Sequence, residues 1–280
     1  MFGSKAMQPH EFERPVLDLS GDALRAAMQV MVTGSEDHGG VERYIDAVKL
    51  KSTMFRQALI ENDIAELDLE TFKGLCTFMA TVRRRISDRL NEEAFAELHP
   101  HLVDLFDDAE PVDNRIGRFC DQFPNDKKHR WVRDLATELL HNADPERVPL
   151  MNRWVWDAKA NTGVLREIWH ADDVDRLTIR VADSYGTYVM LREELSQFLS
   201  ENGVFRDVLY FVDVLCAQIY AQYICEQGGS YLRADFSAPE DPMQHTRRLL
   251  GLDGVRPGDG RTRLKSIDGE AFVLDDSKLN

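Results

Sequence analysis

Apolar residues recur at intervals of three and four positions through much of the chain, which is the spacing that places side chains on one face of an α-helix. Residues 41–62 show this spacing, and residues 70–90 show it again. The apolar positions of the two segments are Tyr44, Val48, Phe55, Leu59, Phe72, Leu75, Met79, Val82, Ile86 and Leu90. The pattern predicts a helix over each segment.

The same periodicity predicts further helices along the chain. They cover residues 112–123, 127–142, 150–170 and 204–227. Pro149 can begin the third of these, because proline is tolerated at the first helical position, and Gly228-Gly229 can end the last. Residues 173–200 fit either a β-hairpin or one long helix, and we favour the helix because their apolar residues share a helical face.

Proline and glycine positions divide the chain into three parts. Residues 1–40 are expected to form an N-terminal arm with one short helix that Ser20 caps. Residues 41–235 are expected to form a helical bundle, and residues 236–280 a Pro/Gly-rich extension with a hairpin turn at Asp268-Gly269. The predicted fold class is all-α, a multi-helix bundle of about seven or eight helices with a small C-terminal β-hairpin appendage.

Acidic residues outnumber basic ones, since 49 Asp and Glu oppose 34 Lys and Arg, for a formal net charge of −15 over 280 residues. Nucleic acids and anionic lipid surfaces attract proteins through a positive field. We therefore expect no nucleic-acid partner and no membrane partner. An acidic surface favours a basic protein partner. We expect a protein partner or a homo-oligomer.

The cysteines and the apolar segments bear on the compartment. The N-terminal residues lack the apolar core of a signal peptide, and the stretch 205–225 contains too many polar residues for a membrane span. The four cysteines form no CxxC pair, so we expect them to be reduced thiols. These features predict a cytoplasmic protein.

Several common catalytic motifs are absent from the sequence. It contains no GxxxxGK[ST] loop for a triphosphate, no GxGxxG, no HExxH and no GxSxG. Familiar NTPases, dinucleotide enzymes and zinc proteases are therefore not expected. An enzyme whose site is assembled from scattered residues remains compatible with the sequence.

Two ExxH dyads are the first candidate site. Glu138 with His141, and Glu167 with His170, have the spacing of the Glu-His pairs in ferritin-like di-iron bundles, and this resemblance implies iron as a cofactor. The dyads depart from that pattern because no helix with a single Glu lies between them. A helical wheel also directs His141, Glu167 and His170 away from the apolar faces, which favours two exposed Glu-His neighbours over a metal site.

A tryptophan-rich segment is the second candidate. If one helix runs through 150–170, Trp156 lies on the polar face with Asn152, Lys159 and Gly163. An exposed tryptophan is costly unless something covers it, so this face is a candidate binding surface. Two alternatives stay open: another helix of the same chain packs there, or residues 161–163 break the helix.

A buried acid is the third candidate. Asp213 falls within the apolar arc of the 204–227 helix, so its carboxylate must be paired, hydrogen-bonded or protonated. Lys51 and Arg83 occupy similar positions in other apolar arcs, and either can be its partner. Asp213 is therefore either part of a structural ion pair or a catalytic acid-base group in a pocket.

Two functions from different classes follow from these features. The first is a cytoplasmic accessory or regulatory protein that acts through protein-protein contacts. The second is a helical enzyme, either a di-iron oxidoreductase built on the two ExxH dyads or a metal-free pocket around Asp213. The sequence favours the first.

Overall fold

Helices account for nearly all the regular structure in the computed structural model of this protein, which describes residues 12–171, 176–231, 243–253, 261–265 and 271–275. The predicted all-α class is confirmed. The described residues contain α1 (Gly21–Ser35), α2 (Glu42–Arg56), α3 (Leu69–Thr77), α4 (Glu92–Leu105), α5 (Val112–Cys120), α6 (Trp131–Ala143), α7 (Val164–Glu167), α8 (Tyr185–Glu201), α9 (Val208–Tyr231) and α10 (Gln244–Leu249).

Two short strands, Arg261–Lys265 and Ala271–Asp275, are paired antiparallel. The residues between them, 266–270, include the expected Asp-Gly turn and lie outside the described residues. The C-terminal hairpin therefore stays a prediction.

Side-chain caps fix the start of several helices. Ser20, as expected, accepts a hydrogen bond from the amide of Ala23, and Asp68 and Asn91 cap α3 and α4 in the same way. Such caps satisfy amides that have no partner inside the helix. Helix α4 is not among the predicted helices, and it contains Pro100, a residue type that usually interrupts a helix.

Helix α6 lies at the centre of the molecule. Every residue of α6 except Arg133 is buried. Helices α2 and α5 pack against it, while α9 packs against α1, α2, α7, α8 and α10. A helix that is covered on all sides has no solvent face, so its polar residues must find partners inside the core.

The segment 150–170 is not one helix, so that prediction was wrong. It folds as successive turns, and only Val164–Glu167 is helical. Gly163 has φ +125°, and a Cβ atom there would lie 2.7 Å from the carbonyl oxygen of Val155. The backbone reverses at this glycine because only glycine adopts that conformation without strain and permits so close an approach.

The segment 173–200 differs from both structures considered for it. Helix α8 covers only its second half, and residues 177–183 have no regular structure. Likewise, the helix expected over 70–90 ends at Thr77, and the chain continues from there in turns. Apolar residues at helical spacing are buried here by turns as well as by helices.

One segment of the described residues, Val208–Glu226 in α9, is long and apolar enough to cross a membrane by length and composition, although its polar residues led us to expect no span there. A buried helix of a soluble core passes the same test. In this fold α9 packs against five other helices.

Candidate functional site

Three acidic or basic side chains follow one another along a single face of α6. Asp134, Glu138 and His141 are spaced by four and three residues, which places them on successive turns of the helix. All three are buried, with exposed fractions of 1%, 2% and 5%. The outward orientation predicted for His141 is wrong, since neighbouring elements cover α6 on every side.

Glu138 has two hydrogen-bonding partners from other elements. The Lys51 ammonium group lies 3.1 Å from Glu138 Oε2, and Asn152 Nδ2 donates to Glu138 Oε1 at 3.0 Å. Lys51 also donates to the carbonyl oxygen of Leu250, just after α10, at 3.0 Å. A lysine from α2 thus connects the central helix to the α10 segment.

His141 bridges a backbone carbonyl and a buried carboxylate. Its Nδ1 lies 2.9 Å from the carbonyl oxygen of Val148, and its Nε2 lies 3.1 Å from Asp213 Oδ2. A carbonyl oxygen can only accept, so Nδ1 must carry a hydrogen. The contact between Nε2 and Oδ2 then requires one more proton, carried either by His141 or by Asp213.

These five side chains, Lys51, Glu138, His141, Asn152 and Asp213, form what we call the polar cluster. Four of them are ionisable, and their charges cancel: the ammonium of Lys51 faces the carboxylate of Glu138, and the shared proton neutralises the other pair. Buried charges persist only when they are paired in this way.

The polar cluster lines a small pocket between α2, α6, α9 and α10 that has room for about one water molecule. The other lining residues are Val48, Asn142, Leu150, Trp154, Leu249 and Leu250. Two residues of this lining each have a buried polar atom without a hydrogen-bond partner, Oδ1 of Asn152 and Nε1 of Trp154. The residues around the pocket therefore include one unused acceptor and one unused donor.

Burial and charge act in opposite directions on Glu138. Burial raises its pKa above the ordinary value, and the charge of Lys51 and the hydrogen bond from Asn152 oppose that rise. The two carboxylates of the polar cluster also affect the pKa of two buried thiols. Burial raises the pKa of Cys76 and of Cys216, and the charges of Glu138 and Asp213 respectively raise them further.

Asp213 is buried, as expected, but its partner is neither of the two basic residues considered. Lys51 pairs with Glu138 across the same pocket. Arg83 forms a two-pronged pair with Asp253, with nitrogen-oxygen distances of 2.7 and 2.6 Å. Arg83 thus ties the residues after α3 to the chain that follows α10.

The predicted binding surface around Trp156 is not present. Trp156 is fully buried, and its Nε1 donates to the carbonyl oxygen of Val181 at 3.0 Å. Asn152 is buried in the polar cluster, Gly163 is buried at the chain reversal, and Lys159 alone is exposed. Because residues 150–163 are not helical, the helical wheel grouped residues that do not share a face.

The two ExxH dyads are not assembled into a metal centre. Glu138 and His141 are in the core, whereas Glu167 is half-buried at the end of α7 and the His170 side chain is exposed. Over the described ranges, no group of three or more His, Cys, Asp and Glu side chains is placed to hold a metal ion. The donors of the dyads were predicted on neighbouring helices, but the second dyad does not lie on a continuous helix.

The pairing of His141 with Asp213 was missed because the two residues lie 72 positions apart in the chain. One signal was available: Asp213 is an ionisable residue on the apolar helix α9, which indicates a need for an internal partner. No protein family, curated protein or solved structure matches this chain.

Proposed function

We propose that this protein binds a small, uncharged polar molecule in the pocket lined by the polar cluster. The carrying observation is that two residues lining the same pocket, Asn152 and Trp154, each have a buried and unpaired polar atom. An unpaired buried polar atom costs about 1–3 kcal/mol. A ligand with one hydrogen-bond donor and one acceptor would recover both contributions.

Charge selects the class of ligand. The polar cluster is neutral as a whole, because its two pairs each sum to zero. A charged ligand would bring an uncompensated charge into the core, and such a charge is strongly disfavoured. Amides and alcohols therefore fit the pocket better than carboxylates, phosphates or amines.

The proton shared by His141 and Asp213 allows the pocket to take part in acid-base chemistry. Both residues line the pocket, and the pair can donate the proton between Nε2 and Oδ2 to a bound molecule and take it back. We propose that Asp213 and His141 hold this proton between them, and that the site works without a metal ion. This role corresponds to the metal-free alternative predicted from the sequence.

Access requires movement of α10. Leu249 and Leu250 form part of the lining, and the pocket as it stands holds about one water molecule. Displacing the α10 segment breaks the hydrogen bond from Lys51 to Leu250. The ligand is thus expected to bind slowly, at a rate limited by this opening.

Titration of the 15N-labelled protein with acetamide tests the proposal. Acetamide carries both a donor and an acceptor, and acetate serves as the charged control of similar size. We expect acetamide to shift the indole N–H signal of Trp154, which is assigned through Trp154→Phe, and acetate to leave it unchanged. Trp154→Phe, in which binding is followed through the side-chain amide signals of Asn152, should weaken binding about three- to tenfold, the contribution of one hydrogen bond.

Trp169→Phe is the matched control, since it makes the same change outside the pocket lining, and it should leave acetamide binding unaltered. If acetamide leaves the Trp154 signal in place, or if acetate shifts it equally, the pocket is a structural polar core and the proposal is wrong.

A second candidate function, the accessory protein that acts through protein contacts, is favoured by a different feature. Phe205 is 77% exposed in the turn between α8 and α9. This turn is fixed at both ends: Gly203 and Asp207 have positive φ, and Lys49 lies 2.9 Å from Asp207 Oδ1. A fixed turn that presents an aromatic side chain is suited to insertion into a partner.

Sedimentation tests the homo-oligomeric form of this candidate. If Phe205 lies in the contact between two copies, Phe205→Ser should shift the protein to monomer. Ile60→Ser removes another exposed apolar side chain, at 52% exposure, and should leave the association unchanged. A wild-type protein that sediments as a monomer at all concentrations contradicts this form.

The cytoplasmic location stays a prediction.

A further inference from the structure

A buried arginine between α4 and α5 has an unused hydrogen-bond donor. Arg115 is only 4% exposed, and its Nη1 donates to the carbonyl oxygen of Leu105 at 3.2 Å and to Asp108 Oδ1 at 3.3 Å. Its Nε has no acceptor. Buried guanidinium N–H groups are normally all paired, so this one indicates a missing acceptor.

The charge of Arg115 is also incompletely balanced. Its one carboxylate partner, Asp108, is shared with Arg147, whose Nη1 lies 2.8 Å from the second carboxylate oxygen. Burial lowers the pKa of Arg115 and the charge of Arg147 adds to this effect, whereas Asp108, Asp107 and Tyr185 oppose it. Arginine stays protonated in proteins, so the core here contains a positive charge that attracts a further anion.

Arg115 lines a pocket together with other basic residues, and the pocket as it stands has room for about one water molecule, so a larger anion must displace the exposed side chains at its edge. The lining consists of His101, Asp104, Leu105, Arg115, Arg118 and Phe119. Neither His101 nor Arg118 has a side-chain ion pair within the described part of the chain. Asp104 is the single acid of this lining, and it is exposed. The lining itself has two arginines against one exposed acid, while Asp107 and Asp108 are not part of the lining but also act on the charge of Arg115.

We propose that this pocket is a binding site for a small oxyanion, which accepts a hydrogen bond from Arg115 Nε and an ionic contact from Arg118. Guanidinium groups match the oxygen atoms of phosphate and carboxylate in geometry and charge. His101 adds a third contact when it is protonated. The site is separate from the polar cluster, because it shares no lining residue with that pocket.

Two substitutions of exposed residues change the charge of the lining in opposite directions. Arg118→Gln removes a cation, and Asp104→Asn removes the competing anion. We expect the dissociation constant for inorganic phosphate to rise about tenfold in the first variant and to fall severalfold in the second. Arg84→Gln, which removes an exposed arginine elsewhere, is the matched control and should leave phosphate binding unchanged.

The readout is the Nε–H signal of Arg115 in the 15N-labelled full-length protein, assigned through Arg115→Lys. Inorganic phosphate should shift this signal in a saturable manner, acetate should shift it at higher concentration if a carboxylate suffices, and chloride should not shift it. Arg115→Lys retains the charge but lacks Nε and its signal, so its phosphate binding is measured by isothermal titration calorimetry, which should show no saturable binding. The proposal is overturned if phosphate leaves the signal unmoved, or if Arg84→Gln weakens binding as much as Arg118→Gln.

Discussion

At the residue scale, the pair between Lys51 and Glu138 is the interaction whose loss should be most damaging. Both side chains are almost fully buried, with exposed fractions of 6% and 3%. Removing one partner leaves an uncompensated charge in the core, which typically costs about 3–5 kcal/mol, while replacing both with neutral groups costs far less. The pair should therefore show strong coupling in a double-mutant cycle.

We expect Lys51→Met and Glu138→Gln each to lower the free energy of unfolding by several kcal/mol, and the double variant to lose less than the sum of the two. Urea unfolding monitored by circular dichroism measures all four proteins. Additive losses would contradict a mutual charge compensation in the core.

The same pair predicts a pH dependence. The pKa of Glu138 is higher in the folded protein than in the unfolded chain, so the folded state holds this proton more tightly and stability falls as pH rises from the unfolded pKa through the folded one. Lys51→Met removes the positive charge that opposes the effect of burial, so it raises the pKa of Glu138 further. The loss caused by Lys51→Met should therefore be smaller at pH 5 than at pH 7, and an equal loss at both would argue against a buried ionised Glu138.

The shared proton of His141 and Asp213 yields a second residue-scale prediction. Asp213→Asn introduces an amide N–H that can donate to Nε2 while Nδ1 still donates to Val148, so all hydrogen bonds are retained without a carboxylate. We expect this change to cost less than about 1.5 kcal/mol, whereas Asp213→Val, which leaves Nε2 unpaired, should cost about 3 kcal/mol. Equal losses in thermal unfolding would mean that the pair is held by charge and that His141 is an imidazolium ion.

At the element scale, α10 is held over the pocket by contacts at both of its ends. Thr246 donates to Gln218 on α9, Lys51 donates to the carbonyl oxygen of Leu250, and Arg83 pairs with Asp253. Gly251 ends the helix with φ +73°, and a Cβ atom there would lie 1.6 Å from the carbonyl oxygen of Phe78. The α10 segment can therefore dock in this position only if residue 251 is glycine.

Gly251→Ala is expected to undock α10 while most of the bundle stays folded. Gly203→Ala is the matched control, because Gly203 also has positive φ, at +90°, but has open space around its Cβ position. The control should lose only about 1 kcal/mol, the backbone cost of alanine at positive φ. Hydrogen exchange should show lost protection of the α10 amides in Gly251→Ala alone, and retained protection there would mean that the Phe78 contact relaxes.

The elements also show what the sequence could predict. Helices α5, α6 and α9 were predicted close to their observed positions, because apolar residues recur regularly along them. The helical wheel failed where its premise failed: residues 150–163 are turns, so Trp156 is buried and not on a polar face. It also failed on α6, since a helix covered on all sides has no outward face to predict.

The polar cluster shows the same limit. Asp213 was identified as a buried acid from its apolar neighbours along α9, which is local information. Its pairing with His141 and the pairing of Lys51 with Glu138 depend on how α2, α6 and α9 pack. The partners lie 72 and 87 positions apart in the chain. Helical periodicity indicates which residues are buried but not which of them meet.

At the scale of the whole molecule, the four thiols report on how the fold opens. Cys76 and Cys216 are buried on α3 and α9, Cys120 is half-buried, and Cys225 is exposed near the end of α9. Burial raises the pKa of Cys120 to about 11, while the two buried thiols have no access to solvent in the folded state. Since the thiolate is the reactive form, the four groups should differ widely in rate.

We expect the native protein to react first with one equivalent of a thiol reagent, at the exposed Cys225, and the denatured protein to react with four. Burial and the charge of Glu226 raise the pKa of Cys225, so this first reaction should be faster at alkaline pH. Cys225→Ser should remove the first phase without changing the others. Because Cys76 and Cys216 lie in one continuous core, their reaction requires opening of the whole bundle, and both should follow the free energy of global unfolding as urea is added. If instead Cys216 becomes reactive in Gly251→Ala while Cys76 stays protected, α9 opens together with α10, and the bundle unfolds in at least two steps.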